Sequence, residues 1–228
     1  MTDQNRQQDL AKRFGDLHDD FLTIPNVWDA GSVHLIAQTG ASAIATSSGA
    51  QSWAQGIPDG RRLDQADVLA NVKRIVDAVD LSVSADVENG YADSPDNVRD
   101  TIAAFIVTGI VGINVEDSGA PDTALYEVDA QAQRIAAARD AANSADVDLF
   151  INALTDVLLL AVGEEEGRID DVIARGNAYR EAGADGLFIS GLLDTDALTT
   201  LTRETGLKIN AMWLPGAPMS RFTTYATT

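Results

Sequence analysis

The stretch Asp86-Val87-Glu88-Asn89-Gly90-Tyr91 holds two carboxylates where an apolar, β-branched run gives way to loop. The pair Glu116-Asp117 does the same after Val111-Gly112-Ile113-Asn114-Val115. Such positions are the C-terminal tips of buried strands. Asp86 and Glu88 are two apart, so in extended chain they point the same way. Carboxylates on neighbouring strand tips repel one another unless a divalent cation or a shared proton neutralises them. The chemistry to expect is therefore a magnesium site at the rim of a β/α barrel.

Short apolar runs alternate with helical patterns along the chain, as repeated βα units require. Strands are expected at Thr23–Val27, Ser42–Thr46, Leu81–Asp86, Val111–Val115, Asp148–Asn152, Gly186–Ile189 and Leu207–Met212. Helices are expected at Ser32–Thr39, Asp64–Ala78, Pro95–Thr108, Asp129–Asn143, Asp170–Ala182 and Asp194–Thr205. Ser94-Pro95 and Asp129 are helix-start signals, while Gly40, Gly109, Gly183 and Gly206 are stops. Ahead of the first strand, Leu10, Phe14, Leu17 and Phe21 recur at helical spacing, which predicts a leading helix over about 8–21 packed on the barrel. Ser118–Glu127, rich in Gly and Pro, suits a mobile lid. His18 and His34 fall in helical segments as structural residues, and Glu164-Glu165-Glu166 suits a solvated helix start.

The 228 residues suit a single (β/α) barrel domain spanning 1–228. A Rossmann sheet would need G-x-G-x-x-G after a strand, and neither that motif nor a P-loop occurs. The fold class is α/β, a TIM-type (β/α) barrel. Seven strands are counted where eight are wanted. Only Leu214–Ser220 separates Arg221–Thr228 from the seventh, too few residues for a parallel crossover, so the barrel is expected to be incomplete at its C-terminus. A net charge of -19 with 16 basic residues argues against nucleic acid. Absence of Cys removes disulfides and thiolate chemistry. No apolar run is long enough for a membrane span and no secretory leader is evident, so a cytoplasmic protein is expected.

A set of motifs, in order, resembles the isocitrate lyase/phosphoenolpyruvate mutase superfamily. They are Pro25-Asn26-Val27-Trp28-Asp29-Ala30, Ala45-Thr46-Ser47-Ser48-Gly49, Gly56-Ile57-Pro58-Asp59, the Asp86–Tyr91 string, Gly112–Ser118, Ile151-Asn152-Ala153 with Thr155-Asp156, and Ala182-Gly183-Ala184-Asp185. The resemblance runs from about Pro25 to Pro218. It implies a barrel enzyme that holds Mg²⁺, with Mn²⁺ as a substitute, and makes or breaks C–C or P–C bonds in small 2-oxo carboxylates through a metal-stabilised enolate. It also implies a homo-oligomer, dimer or tetramer. Carried over by position, Asp86 is the direct metal ligand, and Glu88 and Glu116 hold metal-bound waters. Asp59 and Glu116 are the catalytic candidates, and Ser48, Gly49, Ala50 and Asn152 bind the substrate carboxylate. Trp53 and Tyr91 are candidate pocket walls.

Two departures stand out. Family members usually carry Arg where this chain has Leu154. Asn152, Leu154 and Asp156 alternate onto one side of a strand, so Leu154 is expected to face the pocket. Loss of a bidentate guanidinium there costs about 2–5 kcal/mol of substrate or transition-state binding. The lid segment also lacks the Lys and Cys of the lyase branches, which argues against isocitrate and methylisocitrate cleavage. The alternative is a catalytically weakened or inactive relative that binds without turnover.

Overall fold

The computed structural model describes residues 3–119, 125–191 and 194–212. Its seven strands are β1 (Asn26–Val27), β2 (Ala43–Thr46), β3 (Ser82–Asp86), β4 (Gly112–Glu116), β5 (Phe150–Thr155), β6 (Gly186–Ile189) and β7 (Lys208–Ala211). They form one all-parallel sheet in the order β1 to β7, a curled TIM-type half-barrel. The helices are α1 (Asp3–Leu17), α2 (Ala30–Ala37), α3 (Ser48–Ala54), α4 (Gln65–Asp77), α5 (Pro95–Val107), α6 (Val128–Ala145), α7 (Arg168–Glu181) and α8 (Thr195–Thr205). None of the described helices is long and apolar enough to cross a membrane.

Alternation along the strands builds two layers. Ile113, Val115, Ile151, Ala153, Leu187 and Ile189 are fully buried against the helices. The residues between them turn inward, where Ser84, Gly112 and Phe150 share a register. Helix α1 closes this lower end. His18 stacks on Phe150 at 3.9 Å, Phe14 meets Phe150 edge-on at 5.7 Å, and the Ser82 hydroxyl donates to the Leu10 carbonyl. His18 is thus structural, while His34 lies exposed on α2.

Several expectations shift. The leading helix spans 3–17 rather than 8–21. The His18 ring hydrogen-bonds the Phe14 carbonyl at its end, and Phe21 lies beyond it, 42% exposed. Ser94 caps α5 as expected, but α6 starts at Val128 with Asp129 inside its first turn. Gly206 ends α8 at φ +66, where its N–H donates to Thr202. The strand expected at 148–152 runs on to Thr155, which puts Leu154 inside β5. Glu165–Gly167 forms an exposed 3₁₀ turn ahead of α7. Residues 213–228, including the tail and Pro218, and Ala120–Ala124 of the lid lie outside the described residues.

Candidate active site

The barrel's C-terminal rim is built from strand ends. Asp86 closes β3, and its amide donates to the Thr46 hydroxyl on β2 at 2.9 Å. Its carboxylate accepts the Ser48 N–H at 2.9 Å and hydroxyl at 2.7 Å, and the Glu88 N–H at 3.1 Å. Those donors favour the charged form, yet burial outweighs them and raises the carboxyl above its ordinary range, with Asp59 adding repulsion.

Glu88 does not extend the strand. Its φ is +48, so the chain has already turned, and the two-apart argument that aligned it with Asp86 fails. The side chain is nevertheless driven inward to 2% exposure. Its Oε1 accepts from the Tyr91 hydroxyl at 3.2 Å, and its Oε2 is buried without a partner. Burial first, then Asp86, pushes Glu88 up to about 7. Glu116, closing β4, rises to about 9 through burial and then the fields of Asp86 and Asp156. Asp59 completes the group. Its Oδ2 sits 2.8 Å from where a Cβ on Gly49 would stand, so the glycine lets the carboxylate take this position.

Ser48, Gly49 and Ala50 open α3, a helix absent from those expected from the sequence. Ser47 caps that helix, its hydroxyl accepting the Ala50 N–H at 3.2 Å. Small polar residues and a glycine hid this short turn from a periodicity search. Trp53 on the same helix is 69% exposed. Asn152 lies one layer below the rim and donates to Asn114 Oδ1 at 2.8 Å, with Asn114 in register with Asp86. Leu154 is 6% exposed and in register with Glu116 on one side and Phe188 on the other.

Asp117 parts company with Glu116. It is fully buried on the helix side, accepting from Arg175 at 3.1 Å and the Tyr179 hydroxyl at 2.9 Å. Its other oxygen accepts the Asp156 N–H at 3.1 Å. It therefore clamps β4 and β5 to α7 rather than joining the rim. The foot of the lid is fixed as well. Ser118 bridges Leu125, and the Tyr126 hydroxyl donates to Asp93 at 2.7 Å. The Arg134 guanidinium lies 4.2 Å from the Tyr126 ring centroid and donates to the carbonyls of Asn89, Ala92 and Asp93.

Among the described residues no three His, Cys, Asp or Glu side chains stand close enough to ligate one ion directly. The rim still suits a hard cation held largely through water. Burial first, with repulsion from neighbouring carboxylates added, raises the proton affinity of Asp86, Glu88 and Glu116, and the buried Glu88 Oε2 has no hydrogen-bond partner. Magnesium keeps several waters and takes one or two carboxylates, which matches one direct ligand with the others acting through water.

The phosphoenolpyruvate phosphomutase family model matches residues 14–225. The chain belongs to that family. Its relatives place it in the isocitrate lyase/phosphoenolpyruvate mutase superfamily. A Burkholderia cenocepacia structure assigned by name to the phosphonomutases superposes with a TM-score of 0.91 at 41% identity, covering 96% of this chain and 90% of that one. An uncharacterized Mycobacterium tuberculosis protein is 32% identical over 89% of this chain and 74% of its own length. The 2-methylisocitrate lyase of Bacillus subtilis is 31% identical over 84% of this family member, which spans 63% of that enzyme.

Sequence reasoning missed Asn114 as a neighbour of the rim. Asn114 sits inside the quoted β4 string, two residues before Glu116, so alternation alone would have turned it inward. The alternation that turns Leu154 inward carries Asp156 with it, and the field of Asp156 on Glu116 agrees.

Proposed function

We propose that this family member is a Mg²⁺-dependent enzyme that cleaves a C–C or P–C bond in a small 2-oxo carboxylate. The observation carrying this reading is the group of Asp59, Asp86, Glu88 and Glu116 at one rim, with the Glu88 Oε2 atom buried and unpartnered. A bound cation supplies positive charge to the substrate's carbonyl oxygen, where negative charge develops as the bond breaks. Asp86 is the residue to touch it, and Glu88 and Glu116 hold its waters. The Ser48 hydroxyl and the Gly49 amide, at the start of α3, would face the substrate carboxylate with Asp86 turned to a bound cation, whereas the Ala50 amide is already taken by the Ser47 cap. Asn152 orients the carbonyl end from below. Asp59 and Glu116 are the groups that accept or return a proton, and the lid excludes water. The family member is read as a cytoplasmic homo-oligomer, dimer or tetramer, with light scattering at micromolar concentration as the check.

The experiment is a screen for pyruvate release from oxaloacetate, phosphonopyruvate, alkylmalates and longer 2-oxo acids with Mg²⁺ present. Turnover lost in Asp86→Ala supports the enzyme. A second reading, a weakened relative that binds without turnover, is favoured by Leu154 in place of the usual Arg. No turnover with any substrate, even in Leu154→Arg, would favour that reading.

A further inference from the structure

The two sides of the rim differ in charge. After β3, β4, β5 and β6, the segments 87–94, 117–127, 156–167 and 190–194 contain neither Lys nor Arg. Arg61 and Arg62, between α3 and α4, are the exception among the loops of this face, and they lie on the carboxylate side. Arg168, the first cation after β5, is engaged with the carbonyls of Val162 and Gly163. A second carboxylate or a phosphonate on the β5–β6 side would therefore meet no cation from these segments, and an anion stripped of water without one is unfavourable.

What that side offers is apolar surface. The strand register sets Leu154 and Phe188 side by side, turned inward, because Ala153, Leu187 and Ile189 fill the helix side. Leu158 in the next loop packs against Gly191, whose Cβ would stand 3.0 Å from Leu158 Cβ. Leu159 and Leu160 follow at 61% and 50% exposure, which is unusual for leucines unless something apolar meets them. Beneath this wall, Asn152 Oδ1 is buried and unpartnered, 2.8 Å from where a Cβ on Gly186 would stand. On the far side of Phe188 the register places Asn210 of β7, so the apolar wall is made by β5 and β6.

We infer that the β5–β6 side of the rim, with Leu154 and Phe188 as its specificity-determining residues, takes an uncharged apolar substituent near the 2-oxo carboxylate. The substrate class is then a 2-oxo monocarboxylate with an aliphatic far end. This deepens the function proposed above and rests on it. In this account Leu154 re-aims the site towards a different partner for the same carboxylate end.

The test uses non-reacting mimics with the whole protein and Mg²⁺, read by calorimetry. Oxalate probes the carboxylate end alone. N-isobutyloxamate and N-(carboxymethyl)oxamate share that end and an N–H donor, and differ in an isosteric apolar or charged tip. The expected result is that oxalate binds and the isobutyl compound binds about tenfold or more tighter than the carboxymethyl one. Leu154→Arg should reverse that order, and Leu154→Gln should shrink it, with melting curves confirming that each variant is folded. Equal or tighter binding of the carboxymethyl compound by the wild-type protein overturns the inference while leaving the proposed function intact. Failure of oxalate to bind overturns the function itself.

Discussion

Glu116 and Asp117 are adjacent acids with opposite fates, and the difference shows what a barrel strand does with charge. Glu116 turns to the interior, where it meets other carboxylates and no cation, and rises to about 9. Asp117 turns to the helix layer, where Arg175 and Tyr179 meet it. Burial raises Asp117 as well, but there the protein supplies its own counter-charge. The interior side is left for something else to neutralise. One side of the strand serves stability and the other is held ready for a ligand.

The largest effect should come from Asp86→Ala, which removes the candidate direct ligand. Mg²⁺-dependent oxalate binding should weaken by more than about 100-fold in calorimetry, since even outer groups around a metal are worth about 10–100-fold. Retained affinity would take Asp86 out of the metal role. Asp117→Ala should do the reverse. By removing the buried partner of Arg175, which keeps only the more exposed Asp171, it should cost about 3 kcal/mol in denaturant unfolding, with oxalate affinity in the folded protein little changed. Equal loss of binding in both variants would erase the distinction between the two sides.

A pH series sharpens the comparison further. Glu116 goes from 4.5 to about 9 on folding and Glu88 from 4.5 to about 7. The folded protein therefore binds more protons than the unfolded chain between those values, and stability falls as pH rises through that window. Metal-free protein should melt at progressively lower temperature from about pH 5 to about pH 9, and Mg²⁺ should recover more stability at the alkaline end. A flat profile without metal would mean that these carboxyls are not held together. The smallest effect belongs to Gly49→Ala. A Cβ there stands 2.8 Å from Asp59 Oδ2, so the Asp59 carboxylate must swing away. Helix propensity gains about 1 kcal/mol, so the melting point should hardly change while oxalate affinity falls severalfold.

The βα rhythm was legible because buried parallel strands are apolar on both faces and their helices stop at glycine. The acids at the rim were legible because they interrupt those runs. Helix α3 was not, since Ser-Gly-Ala-Gln-Ser carries no apolar stripe and gains its start from Ser47 alone. The turn at Glu88 was hidden too, because a left-handed residue beside Asn89-Gly90 depends on Arg134 gathering the carbonyls of that loop from α6. Which of two neighbouring acids faces inward follows from register, and register is a property of the sheet.

Diffraction from crystals soaked with Mn²⁺ and oxalate tests the account most directly, because manganese can be located by its anomalous signal. The account predicts one ion beside Asp86, bound to oxalate, with ordered waters linking it to Glu88 and Glu116. Carboxylates turned out to bulk solvent, with no ion between them at saturating metal, would contradict it.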